Sequence, residues 1–416
     1  CAGAEIAMLW AVTLRMRGTP MPDFGPDSFE SAPPVTGVDV PLHRAWAEVD
    51  LSAIEANIGR LAEAAPTAEV MAVVKADGYG HGLIPSARAS RRGGAQWLGV
   101  ALLEEAIALR DAGDSGPILA WLPVPGDKFF ECVSRNVDLG VSAPWMLTQI
   151  AQASAVAGRA ARIHLKIDTG LGRSGAAKAD WSALVREALA ATRRGEVEVV
   201  GIWSHLAYAD SPDHPTIGRQ VEEFEDAIAT ASRLGLEPQY RHLANSAATW
   251  RLPPTHYDIV RPGISVYGIS PGEEVGTASS LGLRPAMTLG ARIVMTKRLP
   301  AGSGISYAHQ YTTERETTVV LVPLGYADGI PRSASGRGPI RVAGKAHSIA
   351  GRVCMDQFVV DVGDDLVRDG DEVVLFGPGD RGEVDVNEWA QQADTIGYEI
   401  VTRIGPRVPR IYVGGA

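Results

Sequence analysis

The chain has 416 residues, a formal net charge of −10 and three cysteines. It is longer than one typical domain, and its acidic balance, without a basic run or a long apolar segment, excludes a nucleic-acid partner and a membrane span. The cysteines lack metal-ligand spacing and a disulfide framework, so no metal site is expected and a reducing compartment, the cytoplasm, is predicted. These properties are typical of an enzyme that acts on small molecules.

Residues 1–40 precede the first regular pattern of the chain. They include a tract rich in Pro, Gly, Asp and Ser without hydrophobic periodicity, and such a composition predicts a flexible extension.

Residues 46–284 alternate between apolar runs and helical patterns. The first helix is predicted over 51–65, with Asp50 or Ser52 as its N-cap. Eight runs are apolar along their whole length, as parallel strands covered on both faces are. These runs are 70–75, 97–101, 117–121, 137–141, 163–168, 197–205, 239–243 and 257–261. The pattern predicts an α/β fold, a (β/α)8 TIM-like barrel.

Residues 285–416 have a different pattern, because short β-rich runs separated by Gly and Pro replace the helical stretches. The runs are 286–299, 317–322, 339–343, 351–362 and 371–376. They predict a mostly β C-terminal domain. The strand-like run 46–50 precedes the barrel and is a candidate to pair with this second domain.

Lys75 is the first candidate functional residue. It ends the apolar run Ala72-Val73-Val74 and enters the glycine-rich turn Asp77-Gly78-Tyr79-Gly80-His81-Gly82. Burial lowers the pKa of a lysine and makes it a usable nucleophile, which suits a Schiff base. The alternative from the residues alone is an ion pair between Lys75 and Asp77.

Five polar residues end predicted strands: Lys75, Asp168, His205, Asn245 and Arg261. Barrel enzymes carry their catalytic groups at the C-terminal ends of the strands. The sequence therefore predicts one active site at that end of the barrel, with a phosphate site after the last two strands.

The segment from Lys75 to Gly82 resembles the pyridoxal-phosphate segment of the alanine racemase family. The runs Val260-Arg261-Pro262-Gly263-Ile264 and Gly304-Ile305-Ser306-Tyr307 are similar to two further segments of that family, and the resemblance extends from about residue 46 to residue 412. It implies a homodimer with shared active sites that interconverts L-alanine and D-alanine with pyridoxal 5'-phosphate and supplies D-alanine for peptidoglycan.

The same resemblance assigns the cofactor-binding residues. It implies that Lys75 carries the cofactor and that Arg261 faces the pyridine nitrogen, which stays unprotonated because arginine only donates hydrogen bonds. A weaker electron sink favours racemisation over other reactions. The other residues implied to contact the cofactor are Tyr79, His205, Ser246, Gly263, Ile264 and Tyr398. From the residues alone, His205 could equally be a structural hydrogen-bonding group and Ser246 part of a helix cap.

The resemblance also assigns the second base and the substrate residues. Lys75 and Tyr307 of the partner subunit are implied to be the two catalytic acid–base groups, and Lys166 matches a lysine that is often carbamylated in the family. The implied substrate-binding residues are Arg173, Tyr326, Met355 and Asp356. Taken alone, Arg173 could form a structural ion pair, Tyr307 could be a core or interface aromatic residue, and the last three could belong to β-turns.

Three alternatives to alanine racemisation stay open on the sequence. They are racemisation of another or a broader set of amino acids, decarboxylation on the same two-domain plan, and non-catalytic binding of pyridoxal phosphate. An arginine at the ring nitrogen, Arg261, argues against a decarboxylase. The presence of a second domain argues against a protein that only binds pyridoxal phosphate. Bulky Tyr and Met side chains around the substrate leave room for little more than a methyl group, so alanine is the expected substrate.

Overall fold

The computed structural model describes residues 43–415, and the predicted extension, residues 1–40, lies outside the described residues. Strand β1 (Ala45–Asp50) opens the described part. A sheet of eight parallel strands follows it within residues 43–415. Its strands are β2 (Glu69–Val73), β3 (Trp97–Val100), β4 (Ile118–Ala120), β5 (Asp138–Val141), β6 (Ala161–Lys166), β7 (Val197–Trp203), β8 (Tyr240–His242) and β9 (Ile259–Val260).

Helices alternate with these strands along the chain. They are α1 (Leu51–Ala64), α2 (Lys75–Tyr79), α3 (Leu83–Arg92), α4 (Leu103–Asp111), α5 (Phe129–Ser134), α6 (Pro144–Ala157), α7 (Lys178–Arg193), α8 (Thr216–Arg233) and α9 (Ser246–Arg251). Asp50 is the N-cap of α1, because its carboxylate accepts hydrogen bonds from the N–H groups of Ser52 and Ala53. In the part of the chain that the structure describes, no helix combines the length and apolarity needed to cross a membrane.

The parallel sheet curls until its first and last strands meet. Strand β2 pairs with β3 on one side and with β9 on the other. The N–H of Asp258 donates to the carbonyl of Arg241, and the N–H of Arg261 donates to the carbonyl of Ala244, both at 3.0 Å, so β9 is also joined to the chain around β8. The predicted (β/α)8 barrel is confirmed.

Large side chains fill the barrel interior because glycines on neighbouring strands make room for them. A β-carbon on Gly99 would stand 2.9 Å from the Trp121 ring, and one on Gly201 would overlap the ring of His164. Met71 and Trp97 pack in the same interior and are almost fully buried. The interior is therefore a packed core that includes aromatic and imidazole rings.

A second, nine-stranded sheet contains most of the C-terminal strands. The strands after the barrel are β10 (Met287–Arg292), β11 (Met295–Leu299), β12 (Gly304–Ile305), β13 (Tyr311–Thr312), β14 (Thr317–Val322), β15 (Pro339–Val342), β16 (Lys345–Ala350), β17 (Phe358–Gly363), β18 (Glu372–Phe376) and β19 (Arg410–Val413). Helices α10 (Val386–Gln392) and α11 (Gly397–Thr402) lie between the last two strands. The predicted mostly β C-terminal part is confirmed.

Strand β1 belongs to this second sheet. It pairs antiparallel with β10, where Ala47 lies opposite Leu289, and parallel with β19, where Ala47 lies opposite Arg410. Ala47 and Leu289 are completely buried. The sheet therefore combines the first described strand with the last one.

Some strands end earlier than the apolar runs predict. The run 70–75 ends as a strand at Val73, since the backbone of Val74 already departs from the extended conformation with ψ of 14°. The run 351–362 is wrong as one strand, because residues 351–357 form a connection and β17 begins at Phe358. Gly351 has a φ of 74°, a left-handed conformation that interrupts a strand.

Candidate active site

Lys75 begins a left-handed turn directly after β2. Ala76, Asp77 and Tyr79 have φ values of 54°, 54° and 52°. This conformation costs about 1–2 kcal/mol for a residue with a β-carbon. The carboxylate of Glu105 stabilises it, since Oε1 accepts a hydrogen bond from the N–H of Ala76 at 2.6 Å. The turn brings the side chains of Lys75 and Tyr79 to the same cavity.

The surroundings of Lys75 disfavour its charged form. Burial and the nearby Arg173 guanidinium lower the pKa of Lys75, while the Glu105 carboxylate raises it by a smaller amount. A lysine with a lowered pKa has a larger uncharged fraction at neutral pH. Lys75 is therefore suited to attack a carbonyl group or to move a proton.

One end of the cavity has the features of a phosphate site. Ser246 begins α9, and Ile264 begins a 3-10 turn, so both first turns offer N–H groups that have no acceptor within their own helix. Ser246 Oγ accepts a hydrogen bond from the N–H of Gly263 at 2.8 Å. Gly263 lies directly against the phenol oxygen of Tyr79, and the Tyr398 ring lies 6.3 Å from the Tyr79 ring. Such an arrangement favours an anionic group.

Arg261 is buried at the other end of the cavity, with 5% of its surface exposed. Its Nη2 donates to the carbonyl of Ser204 at 2.7 Å and to Nδ1 of His205 at 3.2 Å. Its guanidinium lies 5.0 Å from the centroid of the Trp203 ring. Burial lowers the pKa of Arg261 to about 9, which leaves it a cation at neutral pH.

His205 is neutral chiefly because it is buried, and its contact with Arg261 adds to this effect. Burial lowers the pKa of His205 well below its usual value, and the charges of Arg261 and Lys166 lower it further. Since Arg261 can only donate, Nδ1 of His205 must accept, and its proton is on Nε2. His205 can thus donate one hydrogen bond to a bound molecule but is a weak base.

Lys166 and Trp203 both line the cavity and contact each other. Its ammonium nitrogen lies 4.2 Å from the centroid of the Trp203 ring and donates to Ser174 Oγ at 2.6 Å. Burial, followed by the charges of Arg261 and Arg173, lowers the pKa of Lys166 to about 7. A substantial fraction of the Lys166 side chains is therefore uncharged at neutral pH.

A loop held by Asp168 presents Arg173 to the cavity. Asp168 Oδ1 accepts hydrogen bonds from the N–H groups of Gly170, Leu171 and Gly172, and its Oδ2 accepts one from Arg173 at 3.2 Å. These hydrogen bonds lower the pKa of Asp168 even though burial opposes them. The aspartate is therefore ionised and fixes the loop.

Ten of the predicted site residues line this single cavity of about 590 Å³. They are Lys75, Tyr79, Lys166, Arg173, His205, Ser246, Arg261, Gly263, Ile264 and Tyr398. The cavity thus collects several cationic side chains. It is suited to a ligand that carries negative charge.

The remaining four predicted residues do not line that cavity within residues 43–415. Tyr307, Tyr326 and Met355 are 70%, 45% and 54% exposed, and the Asp356 side chain is 57% exposed. They lie together, because the N–H of Ala327 donates to the carbonyl of Met355 and Ser306 Oγ donates to the carbonyl of Arg352. We call Tyr307, Tyr326 and Met355 the Tyr307 surface.

Sequence reasoning missed several residues that line the cavity. They are Val73, Ala76, Trp121, Trp203, Ile396, Glu399 and Thr402. Trp203 lies two residues before His205, so alternation along a strand could have predicted that both side chains face the same side. Ile396, Glu399 and Thr402 come from the region of α11. No apolar pattern in the sequence indicates that this region lies beside the barrel.

Comparison with known proteins agrees with this geometry. The family model "Alanine racemase, N-terminal domain" matches residues 49–271, and "Alanine racemase, C-terminal domain" matches residues 286–412. The alanine racemase of Frankia casuarinae is 57% identical over 370 residues, which cover 89% of this chain and 96% of the relative. That of Thermobifida fusca is 53% identical over 370 residues, with 89% and 98% covered.

A solved structure extends the similarity to three dimensions. The crystal structure of alanine racemase from D-cycloserine-producing Streptomyces lavendulae superposes with a TM-score of 0.89 at 54% identity, and the match covers 90% of this chain and 98% of that one. Two family models cover both sheets, and relatives of more than half identity span most of the chain. The chain belongs to the alanine racemase family.

Proposed function

We propose that this chain interconverts L-alanine and D-alanine with pyridoxal 5'-phosphate bound at Lys75, as a homodimer in which each active site receives Tyr307 from the partner subunit. The observation that carries the proposal is the meeting of three groups in one cavity: the Lys75 amine, the Arg261 guanidinium and the N–H groups around Ser246. Membership of the alanine racemase family supports the same activity.

The residues present fit this cofactor. The first turns at Ser246 and Ile264, with the phenol of Tyr79, would hold its phosphate, and the tight approach of Gly263 to Tyr79 leaves no room for a β-carbon there. Arg261 would donate to its ring nitrogen. The cationic cavity suits the phosphate charge, since anions bind where N–H groups and positive side chains converge.

Bound pyridoxal 5'-phosphate supplies an electron sink that makes the Cα proton of an amino acid acidic. Lys75 then takes or returns that proton on one face, and its lowered pKa provides the uncharged amine. Arg261 keeps its own proton and only donates a hydrogen bond. Arg173 would bind the substrate carboxylate through its planar guanidinium.

Racemisation requires a second acid–base group on the opposite face. The cavity residues are poorly suited to this role: burial raises the pKa values of Tyr79 and Tyr398, and burial lowers that of His205. The phenol of Tyr307 is 70% exposed and therefore accessible to another subunit, and its segment resembles the one that carries the second base in the family. We therefore assign the second base to Tyr307 of the partner subunit.

The Tyr307 surface supports the dimer. Three large side chains, each at least 45% exposed, come from segments that hydrogen-bond to one another. Exposed apolar patches of this kind mark interfaces. Tyr326, Met355 and Asp356 would then border the substrate in the partner's site. The bulky side chains of Tyr326 and Met355 would leave room for the methyl group of alanine and exclude longer side chains.

Lys166 is the proposed site of carbamylation. The uncharged amine is the form that reacts with CO2, and a pKa of about 7 makes that form abundant. A carbamate would convert a cation into an anion beside Arg173 and so orient the guanidinium. Addition of ¹³C-labelled CO2 to the protein is expected to give a carbamate ¹³C NMR signal that is absent in Lys166→Met. An unchanged spectrum contradicts the assignment.

We further propose that the enzyme acts in the cytoplasm and supplies D-alanine for peptidoglycan. The free thiols of Cys132 and Cys354 are compatible with a reducing compartment. Growth of a D-alanine auxotroph on expression of this chain, without added D-alanine, tests the supply role. Failure of an expressed, active enzyme to support growth contradicts it.

Deuterium incorporation at Cα tests the racemase mechanism. In D2O, the wild type is expected to exchange the Cα proton of both L-alanine and D-alanine, whereas Tyr307→Phe loses exchange from one enantiomer and Lys75→Ala loses cofactor attachment. Tyr208→Phe removes another half-exposed phenol, outside the cavity, and is the matched control. Cofactor attachment without any Cα exchange in the wild type would identify a non-catalytic carrier.

Mixed dimers test the sharing of active sites. Lys75→Ala and Tyr307→Phe are each expected to have low activity, but a mixture that exchanges subunits contains sites in which both groups are intact. Activity is then expected to rise on mixing. If the two variants stay as inactive together as apart while exchange of subunits is demonstrated, Tyr307 acts within its own chain or not at all.

A further inference from the structure

Arg261 is connected to a carboxylate at the far end of the barrel through two buried imidazoles. Its Nη1 lies 3.2 Å from Nδ1 of His242. Nε2 of His242 lies 2.9 Å from Nδ1 of His164, and Nε2 of His164 lies 3.2 Å from Oδ2 of Asp138. Arg162 Nε donates to Asp138 Oδ1 at 2.9 Å. We call Arg261, His242, His164 and Asp138 the relay.

The relay permits one arrangement of protons. Arg261 can only donate, so Nδ1 of His242 accepts and its proton is on Nε2. That Nε2–H donates to Nδ1 of His164, whose proton is therefore also on Nε2 and is donated to Asp138. Burial and the Arg261 charge lower the pKa of His242 well below its usual value, in agreement with a neutral ring. Arg261, His242 and His164 thus each donate towards the next group, and Asp138 is the final acceptor.

The relay crosses the interior of the barrel. Arg261 follows β9 and His242 ends β8, whereas Asp138 begins β5. His164 and His242 are completely buried, and Asp138 is 2% exposed. A buried hydrogen bond is stronger than one in water, and each bond in a chain polarises the next. An ion pair at one end of the barrel is thereby coupled to a cavity residue at the other end.

Packing fixes the two imidazole planes. Trp97 contacts the His164 ring edge-on at a centroid distance of 5.6 Å, and Trp203 stacks on the His242 ring at 5.5 Å with an interplanar angle of 14°. Gly201 on β7 leaves the space that the His164 ring occupies. Neither ring can flip without disturbing its neighbours, so the tautomers decide which hydrogen bonds exist.

We propose that Asp138 and His164 are positioning residues for racemisation: they set the His242 tautomer that accepts from Arg261, and so hold the guanidinium in the orientation that the cavity requires. The consequence for catalysis rests on the proposed role of Arg261, whereas the proton arrangement itself does not. Neither residue lines the cavity, and both act through His242.

A single substitution is expected to reverse the relay. In Asp138→Asn, Arg162 can only donate, so the amide oxygen must face Arg162 and the NH2 group must face His164. Nε2 of His164 then accepts, and its proton moves to Nδ1, opposite the Nε2–H of His242. The two N–H groups then face each other, so the His242 proton must move from Nε2 to Nδ1. The Nδ1–H of His242 would in turn face the Arg261 donor instead of accepting from it.

The test combines histidine NMR with kinetics. Long-range ¹H–¹⁵N correlation of ¹⁵N-histidine-labelled protein is expected to give Nε2–H tautomers for His164 and His242 in the wild type and an Nδ1–H tautomer for His164 in Asp138→Asn. The kcat of Asp138→Asn is expected to fall about tenfold, the effect of losing a buried hydrogen bond to a charged group, with little change in KM. An Nδ1–H tautomer of His242 in the wild type would overturn the proposal, and this measurement requires no variant to fold.

A second substitution provides the rescue and the control. Arg162→Gln alone removes the partly exposed guanidinium but leaves Asp138 as an acceptor, so tautomers and kcat are expected to stay close to those of the wild type. In Asp138→Asn/Arg162→Gln the amide is free to rotate, and both Nε2–H tautomers and most of kcat are expected to return. If Asp138→Asn lowers only stability, or the double variant is not rescued, Asp138 is a structural residue. A wild type that has the predicted tautomers but does not racemise alanine contradicts the proposed function and not the relay.

Discussion

The phenol oxygen of Tyr79 lies directly against Gly263, where a β-carbon would overlap it. This contact joins the turn that carries Lys75 to the loop after β9. The two segments lie more than 180 residues apart in the sequence, and the proposed phosphate site is formed between them. The geometry of that site therefore depends on a residue without a side chain at position 263.

Gly263→Ala is therefore expected to weaken cofactor binding. The added methyl group displaces the Tyr79 phenol, and overpacking of this kind costs about 1–3 kcal/mol, which raises the Kd for pyridoxal 5'-phosphate about tenfold or more. Absorbance titration of cofactor-free protein measures the Kd. Gly59→Ala is the control: Gly59 lies in α1 with open space around it, and this variant is expected to gain about 0.5–1 kcal/mol of stability. An unchanged Kd in Gly263→Ala would contradict the phosphate site.

Lys166→Met is expected to change the pH dependence of stability. Burial lowers the pKa of Lys166 from 10.5 to about 7 in the folded state, so the unfolded state binds more protons between these values and the wild type becomes more stable as pH rises through them. The variant lacks this dependence. In CO2-free buffer, its stability relative to the wild type is expected to be greatest below pH 7 and to decline towards pH 10.5. Urea unfolding at several pH values measures the difference, and a pH-independent difference contradicts the lowered pKa.

Glu105→Gln is expected to lower the pKa of Lys75 further. The Glu105 carboxylate is the nearby charge that raises this pKa, and its removal leaves burial and Arg173 unopposed. The pH dependence of Lys75 acylation, followed by peptide mass spectrometry of cofactor-free protein, measures the shift. Glu104→Gln removes a neighbouring, half-exposed carboxylate and is expected to leave the profile unchanged. A rise in the Lys75 pKa would disprove the role of Glu105.

Asp328→Ala is expected to destabilise the second sheet by about 3 kcal/mol. Asp328 is completely buried and binds Arg44 at 2.7 Å, Arg407 at 3.2 Å and the N–H of Gly325 at 2.9 Å. Loss of a buried carboxylate leaves its partners unpaired. Asp394→Ala removes an exposed carboxylate that pairs with Arg337 and should change the unfolding free energy by less than about 1 kcal/mol. Equal effects of the two substitutions in urea unfolding would show that burial is unimportant here.

The sequence was sufficient to predict the barrel and most of its cavity. Runs such as Ala72-Val73-Val74 are apolar throughout, as strands covered on both faces are, and their alternation with helical patterns indicates a barrel. Lys75 and Arg261 follow such runs, so their meeting at the C-terminal end of the barrel is a consequence of the fold. The ten cavity residues were predictable because each lies in or beside a segment that resembles the family.

Contacts between distant segments could not be predicted from local pattern. Glu105 lies 29 residues after Ala76, and its hydrogen bond supports three residues in a conformation that only glycine adopts readily. The pairing of Lys166 with Trp203 depends on the register between β6 and β7, which the two apolar runs leave undetermined. The proposal of Tyr307 as the second base depends on the resemblance to the family, since the exposure of a side chain gives no signal in a single sequence.

The place of β1 between β10 and β19 has a consequence during synthesis. Ala47 leaves the ribosome about 360 residues before its partner Arg410, and at roughly 5–20 residues per second this delay is roughly 20–70 s. Strand β1 can pair with β10 well before that time ends, but the edge of β1 that pairs with β19 stays unpaired until the last strand is made. The barrel can close before the last strand is made, whereas the second sheet is complete only with that strand, so the open edge of β1 can pair wrongly in the meantime.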